Sequence, residues 1–216
     1  MRSYGQYCSV AKALDVLGER WTLLIVRELL ARGACRYTDL RSGLPGIATN
    51  LLADRLRELE AAGIVRREDA PPPVATTLFS LTERGLALQP VISELGRWGV
   101  PLMRDSSPDD EFRGQWLRLP VQMFLADHEP DRRVSTVEIR AGDQTLVIEA
   151  AAGQVSMRLG ADPDADAVLT ASPPEILSLM RGGVTLRQAV QRGMKVDGSR
   201  AAVERILPRR AEAVAD

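Results

Sequence analysis

The chain has 216 residues, enough for one large domain or two small ones, each with its own hydrophobic core. Its formal net charge of −1 excludes a broadly basic coat for nucleic acid, and two cysteines are too few for a disulfide framework. The apolar runs are too short to span a bilayer and the first residues do not resemble a signal peptide, so we expect a cytoplasmic protein with no membrane partner.

Charge is unevenly distributed along the chain. Residues 1–67 hold 11 Lys and Arg against 7 Asp and Glu, whereas residues 68–111 hold 3 against 8. Binding to phosphate groups requires a local excess of positive charge. The first 67 residues are therefore the place to look for a nucleic-acid-binding element.

Two early segments have apolar residues at helical spacing. The first predicts a helix from about Ser9 to Gly18, and the second predicts one that ends at Gly33. Their apolar residues are Val10, Ala13, Leu14 and Leu17 in the first segment, and Trp21, Leu24, Ile25 and Leu29 in the second. We expect both helices to pack beneath the element that follows.

Residues 34–63 predict a short helix, a turn and a longer helix. The short helix runs from Tyr37 to about Gly43, and residues 44–46, Leu-Pro-Gly, form the turn. The longer helix starts near Thr49, whose hydroxyl can cap it, and stops at Gly63. Leucines at helical spacing predict one buried face, and they are Leu52, Leu56 and Leu59. Two helices joined in this way are typical of a helix-turn-helix, with an ordinary helical hairpin as the alternative.

The opposite face of the longer helix carries small, amide, carboxylate and guanidinium side chains. Amides pair with adenine and guanidinium groups with guanine in the major groove, so this face suits DNA. Its residues are Thr49, Asn50, Ala53, Asp54 and Arg57. Arginines nearby are further candidates for contact with phosphate or guanine, and they are Arg41, Arg66 and Arg67.

A β-hairpin is predicted directly after this helix. Residues 64–67 form a short strand, residues 68–75 a Pro-rich loop, and residues 76–81 a second strand. A helix-turn-helix followed by a hairpin is a winged helix. The predicted hairpin therefore favours DNA binding over the helical hairpin.

A second apolar stripe follows Pro90, where a helix is expected to begin. Val91, Leu95, Trp98 and Leu102 lie at i, i+4, i+7 and i+11, a spacing typical of helices that pack against a partner helix. A winged helix that reads a two-fold operator acts as a dimer, so we predict that this stripe forms a homodimer interface. Packing on the chain's own first helices is the alternative.

Many separate blocks in this region are similar to the HxlR-type family of bacterial winged-helix regulators, relatives of the MarR group. They include residues 18–25 (GERWTLLI), 36–40 (RYTDL), 44–47 (LPGI), 55–60 (RLRELE), 79–82 (FSLT) and 98–99 (WG). The resemblance covers about residues 5–103 and implies a homodimeric transcription factor whose second helix enters the major groove. Two departures stand out: Ala48 replaces a frequent Ser cap, and the wing loop has Glu68, Asp69 and prolines but no base.

Cys8 matches an N-terminal cysteine with which some members of this family sense oxidants or electrophiles. A sensing thiol must be exposed and have a lowered pKa. A thiol-switch regulator is thus an alternative to control by a small molecule. A buried structural thiol is the alternative for Cys8 itself.

The second half predicts a separate α+β domain after an acidic linker at residues 105–111. A helix around Pro120 precedes three strands of an antiparallel meander, and a further strand, helices and a final strand follow up to a short tail, residues 211–216. The order of these elements in residues 112–210 resembles the sterol-carrier-protein-like fold, which implies an apolar ligand site. Candidate lining residues, although each such residue is more often plain core, are Trp116, Met123, Phe124, Met157, Leu177 and Met180.

No catalytic or metal site can be assembled from the sequence. His128 is the only histidine, and the alternating Asp162, Asp164 and Asp166 lack the Gly and Glu of a calcium loop. We therefore expect no enzyme, metal or cofactor. The sequence predicts an α+β regulator with a DNA-binding and dimerisation domain at residues 1–104 and an effector-binding domain at residues 112–210, with a carrier of apolar molecules as the rival function.

Overall fold

The computed structural model describes residues 3–71, 76–105, 107 and 110–209. The chain forms two compact units, Met1–Glu111 and Phe112–Asp216. Each unit buries its own set of apolar side chains. Among the described helices, none combines the length and apolar character that crossing a membrane requires.

The first unit combines helices with a small antiparallel sheet. Its helices are α1 (Ser9–Leu17), α2 (Thr22–Arg32), α3 (Tyr37–Ser42), α4 (Thr49–Ala61), α5 (Glu83–Leu86) and α6 (Gln89–Gly99), and a 3-10 helix, Val100–Asp105, follows α6. Its strands are β1 (Cys35–Arg36), β2 (Val65–Asp69) and β3 (Thr77–Leu81), in the order β1-β3-β2. The predicted helix-turn-helix and hairpin are confirmed, and together they form a winged helix.

Strand β1 was not predicted. It has only two residues, too few to show the alternation of a strand, and it pairs with β3 through Cys35 opposite Phe79. The hairpin also reaches further than expected, because Glu68 and Asp69 belong to β2 rather than to the loop. The tip of the predicted wing loop, residues 72–75, lies outside the described residues.

The leucines of α4 anchor it in the core of the first unit. Leu52, Leu56 and Leu59 are buried, and Gly63 follows the helix end with a positive φ of 69°. Burying a leucine side chain stabilises a fold by roughly 1.5–3 kcal/mol. The predicted cap is wrong: Ala48 occupies the N-cap position without a side-chain hydrogen bond, and Thr49 is already the first helical residue.

Helix α1 has the predicted bounds but not the predicted packing. Ala11 is its buried residue, whereas Val10 and Leu14 are 64% and 45% exposed. Within this single chain the apolar stripe of α1 therefore does not pack beneath the helix-turn-helix. Helix α2 does bury Ile25 and Leu29, although Leu24 is exposed.

The second unit has a five-stranded sheet with helices packed against it. Its elements are a 3-10 helix (Gly114–Leu117), α7 (Arg118–Phe124), β4 (Ser135–Ala141), β5 (Gln144–Ala151), β6 (Gln154–Leu159), β7 (Ala167–Ala171), α8 (Pro173–Met180), α9 (Leu186–Gln191), β8 (Lys195–Gly198) and α10 (Arg200–Ile206). The strand order is β6-β5-β4-β7-β8, and only the pair of β4 and β7 is parallel. The predicted meander is confirmed, but the predicted helix around Pro120 is split into a 3-10 and an α segment.

Alternating residues of the central strands form the core of this unit. In the register of the sheet, Val137 and Ile139 of β4 lie opposite Ile148 and Leu146 of β5, and Ala141 and Ala150 are buried in the same core. Helices α7 and α10 contact the sheet, and α8 contacts α7. Ser199 caps α10 by accepting a hydrogen bond from the backbone N–H of Ala202, as the sequence predicted.

Candidate nucleic-acid interface

The face of α4 opposite its leucines is open to solvent. Thr49, Asn50, Asp54 and Arg57 are exposed, and Ala53 is half-buried. These are the five side chains of α4 that the sequence predicts to contact DNA. The structure therefore brings them together on one accessible surface.

Asp54 and Arg57 form an ion pair along this face, one turn apart. The side chain of Arg57 nevertheless remains 73% exposed. Arg55 behaves differently, since its side chain is only 15% exposed and pairs with Glu19 and Glu58. Arg57 is thus available to a ligand, whereas Arg55 serves the packing of α4.

The start of α4 is fixed by α3. The hydroxyl of Tyr37, the first residue of α3, donates a 2.6 Å hydrogen bond to the backbone carbonyl of Thr49. In the turn between the two helices, Gly46 has a φ of 82°, a conformation that favours glycine. This role of Tyr37 has no local signal in the sequence, because no spacing rule links Tyr37 to Thr49.

A buried carboxylate on α2 supports the turn between α3 and α4. Glu28 of α2 has no exposed surface and forms ion pairs with Arg27 at 2.9 Å and Arg32 at 3.1 Å. Arg27 also donates to the carbonyl of Gly43 over 3.3 Å. The burial of Glu28 has no local signal in the sequence, because charged residues at such spacings usually form exposed pairs.

The arginines outside α4 differ in their surroundings. Arg41, in the last turn of α3, is exposed. On β2, Arg66 lies 3.2 Å from a Glu68 carboxylate oxygen and donates to the Ser80 hydroxyl, while Arg67 lies 3.3 Å from Glu60. The acidic partners reduce the positive potential of this strand, although both arginines are exposed.

The predicted dimer stripe is solvent-exposed in the single chain. Val91, Leu95, Trp98 and Leu102 are 48%, 47%, 71% and 62% exposed, and Leu102 lies on the 3-10 helix after α6. The alternative, in which the stripe packs on the chain's own first helices, does not fit this exposure. The exposed Val10 and Leu14 of α1 add a second apolar face in the same unit.

The two cysteines differ in exposure and acidity. Cys8 is exposed at the start of α1, where the backbone N–H groups of Ala11 and Val10 lower the pKa of its thiol. Cys35 is buried in β1, and loss of solvation raises its pKa to about 11. Of the two, Cys8 has the more accessible and more acidic thiol, the properties that favour reaction.

The six predicted pocket residues of the second unit fall into two groups. Met157 and Met180 are buried in the core, whereas Trp116, Met123, Phe124 and Leu177 are half-buried. A cavity of about 220 Å³ in this unit is lined instead by other residues: Glu129, Arg132, Arg133, Ser135, Asp166, Ser199, Ala201, Ala202 and Arg205. This cavity is polar, which is not the chemistry expected for an apolar ligand.

Buried charge also stabilises the second unit. Arg205 forms a two-pronged ion pair with Asp127 at 2.7 and 2.9 Å, and both side chains are buried. The Arg205 guanidinium and the N–H groups of Glu129 and Gly153 hold the pKa of Asp127 well below its usual range. His128 is near this pair in sequence, and its Nε2 lies 2.9 Å from the Leu207 carbonyl. In the described part of the chain, no group of three His, Cys, Asp or Glu could hold a metal ion.

Comparison with known proteins identifies the first unit. A family model described as HxlR-like helix-turn-helix matches residues 16–107. YvaP of Bacillus subtilis (strain 168), an uncharacterized HTH-type transcriptional regulator, is 39% identical over 89 residues, which cover 41% of this chain and 82% of YvaP. YodB of the same organism, also an HTH-type transcriptional regulator, is 38% identical over 86 residues, covering 40% of this chain and 76% of YodB.

Among solved structures, the reduced form of YodB from B. subtilis shares 34% sequence identity and covers 49% of this chain and 100% of that chain, with a TM-score of 0.40. The family match contains the whole helix-turn-helix and the described part of the wing, and the second unit lies outside it. The chain belongs to the HxlR-like helix-turn-helix family and is an HTH-type transcriptional regulator.

Proposed function

We propose that the protein binds a double-stranded DNA operator as a homodimer, with α4 of each subunit in the major groove. The exposed face of α4 carries this proposal, because Thr49, Asn50 and Arg57 lie opposite three buried leucines. An asparagine reads adenine and an arginine reads guanine through paired hydrogen bonds. The positive charge of residues 1–67 supports attraction to phosphate.

The ion pair between Asp54 and Arg57 on α4 should affect both the affinity for DNA and the preference for the operator. Asp54 holds the Arg57 guanidinium in one orientation and carries a negative charge toward the duplex. Replacing Asp54 with alanine should strengthen binding to any DNA while weakening the preference for the operator. The ratio of the two affinities reports this effect, since phosphate attraction is independent of sequence.

The exposed stripe supports the homodimer. Four large apolar side chains on α6 and the following 3-10 helix would otherwise remain in water. A two-fold dimer would bury them against their own copies and present two α4 helices to a palindromic site.

Alanine variants of Asn50 and Arg57 test the DNA interface. The probe is a duplex that the wild-type protein selects from a random-sequence pool, and the control is Arg84→Ala, which removes an exposed arginine beside the other end of α4. Each test variant should lose about 1–3 kcal/mol of binding free energy. Wild-type affinity in both variants would exclude this docking, whereas no sequence preference in the wild type would favour the rival carrier function.

A thiol switch at Cys8 is the second candidate mechanism of control. Its exposure and lowered pKa favour it, since the thiolate is the reactive form. An alkylating electrophile should modify Cys8 and spare the buried Cys35 at neutral pH. Operator affinity that falls on treatment in the wild type, but not in Cys8→Ser, would support the switch; an equal fall in both would exclude it.

An apolar effector in the second unit completes the proposal. The five-stranded sheet with its helices supports a sterol-carrier-like fold, and four of the six predicted lining residues are half-buried. An effector changes DNA affinity only if it binds one conformation better than another. Native mass spectrometry of the purified chain should reveal a retained apolar molecule, and unchanged operator affinity after its removal would contradict control by this route.

A further inference from the structure

A cleft of about 490 Å³ opens between the wing and the start of α3. Its lining residues are Arg36, Tyr37, Thr38, Arg67, Thr76, Thr77 and Phe79. The set contains two arginines, three threonines and two aromatic residues, and no acidic residue. This composition suits an anion with hydrogen-bond acceptors rather than an apolar molecule.

The wing contributes its inner face to the cleft. Arg67 is paired with Phe79 across β2 and β3, so both side chains leave the sheet on the same side. Leu81, two residues along β3, shares that side and is buried in the core. Arg67 and Phe79 therefore reach the cleft from the face of the sheet that also packs Leu81 into the core.

The cleft also adjoins the DNA-facing end of α4. Tyr37 lines it and donates its hydroxyl hydrogen to the carbonyl of Thr49, where the exposed face of α4 begins. Phosphates border the major groove on both sides. A duplex that receives α4 would therefore bring its backbone to the mouth of this cleft.

We infer that the cleft binds one backbone phosphate of the duplex, through the guanidinium groups of Arg36 and Arg67 and the hydroxyl of Thr38. The inference rests on the proposed DNA binding and adds Arg36 and Thr38 to its contacts. Such a contact fixes the position of α4 along the groove without reading sequence.

Three carboxylates lie next to residues of the cleft and oppose the anion; the first, Asp39, accepts a 3.0 Å hydrogen bond from the backbone N–H of Arg36. Glu60 lies 3.3 Å from Arg67, and Asp69 accepts a 2.8 Å hydrogen bond from the Thr77 hydroxyl. Neutralising Asp69 should therefore raise DNA affinity. Asp69→Asn should raise DNA affinity, whereas Arg36→Ala should lower it. Because damage to the fold would lower affinity in both variants, changes of opposite sign would show that charge is the cause.

The salt dependence of DNA affinity tests the phosphate site. We compare full-length wild type, Arg36→Ala, Arg36→Lys and Arg84→Ala on the selected duplex and on a scrambled one. Arg36→Ala should reduce the slope of log affinity against log salt by about 0.9 per subunit. The affinity that Arg36→Ala loses should be the same on both duplexes. Arg36→Lys should keep most of the wild-type salt slope, and Arg84→Ala should keep the whole slope.

A neutral methylphosphonate, placed at one phosphate of the duplex at a time, locates the contact. At one position per half-site the replacement should weaken the wild type more than Arg36→Ala, which keeps Arg67 and Thr38 at that phosphate. A wild-type slope in Arg36→Ala, or equal sensitivity of both proteins at every position, would overturn the phosphate site while leaving the docking of α4 intact. Absence of wild-type binding to any duplex would overturn the proposed function itself.

Discussion

A Cβ atom on Gly43 would lie 1.9 Å from Oε2 of Glu28. Gly43 follows α3 and has an ordinary helical φ of −85°, so glycine is required here for space rather than for backbone conformation. The turn of the helix-turn-helix thus rests directly on a buried carboxylate of α2. Any larger residue must displace that carboxylate from Arg27 and Arg32.

Gly43→Ala should therefore destabilise the helix-turn-helix by about 1–3 kcal/mol, the usual cost of overpacking. Hydrogen exchange of the α4 amides in the full chain measures this locally. Glu28→Asp shortens the carboxylate and should reduce the cost of the alanine. Equal costs in the two backgrounds would show that this contact is not the cause.

The buried pair of Asp127 and Arg205 should make the second unit sensitive to acid. Asp127→Asn leaves Arg205 without its counter-charge, and removing one partner of a buried pair costs about 3–5 kcal/mol. Because the pKa of Asp127 is lowered by folding, its stabilisation is complete above the ordinary aspartate pKa of about 3.9 and declines as the pH falls below it.

Hydrogen exchange of the α10 amides as a function of pH checks this prediction. The difference between wild type and Asp127→Asn should be constant above about pH 5 and should shrink below about pH 4. The exposed Asp131→Asn serves as the control. A difference that did not change with acid would contradict the assigned linkage.

One residue in the turn between β5 and β6 can be replaced to raise the stability of the second unit. Its two-residue turn is Ala152-Gly153, with φ values of 49° and 80°, and alanine rarely adopts the first of these. Ala152→Asn should stabilise the second unit by about 0.5–1 kcal/mol, whereas Ala152→Val should destabilise it. In thermal unfolding, the melting temperature of Ala152→Asn should rise and that of Ala152→Val should fall. A higher melting temperature for Ala152→Val would contradict the assigned turn.

The apolar stripe after Pro90 should control association. Trp98→Asp places a charge where a dimer would bury an indole, so sedimentation velocity should show a shift from dimer to monomer. Val134→Asp changes a similarly exposed apolar residue of the second unit and should leave the dimer intact. A Trp98→Asp protein that sediments as the wild type does would move the interface away from this stripe.

Periodicity predicted the main elements because they bury one face. Leu52, Leu56 and Leu59 define the buried face of α4. In β6 the predicted alternation is only partly buried, since Met157 is buried and Val155 half-buried but Leu159 is exposed. Periodicity does not reveal which partner covers an apolar stripe. For that reason the packing of α1 was predicted wrongly: Val10 and Leu14 have helical spacing, yet they are exposed in the single chain.

The features that the sequence did not reveal depend on contacts between distant residues. Glu28 meets Gly43 across 15 positions, and Arg205 meets Asp127 across 78. Neither pair has a local signal, since each residue alone resembles a surface charge or a loop glycine. The cleft also depends on residues that are distant in sequence, because the pairing of β1, β3 and β2 brings Arg67 near residues 36–38.

A structure of the full chain bound to its selected duplex tests the central claim most directly. We expect two copies of α4 in successive major grooves on one side of the duplex, about 34 Å apart, with Asn50 and Arg57 within hydrogen-bonding distance of base edges. A complex in which α4 lies away from the bases, or in which another part of the protein covers its exposed face, would contradict the claim.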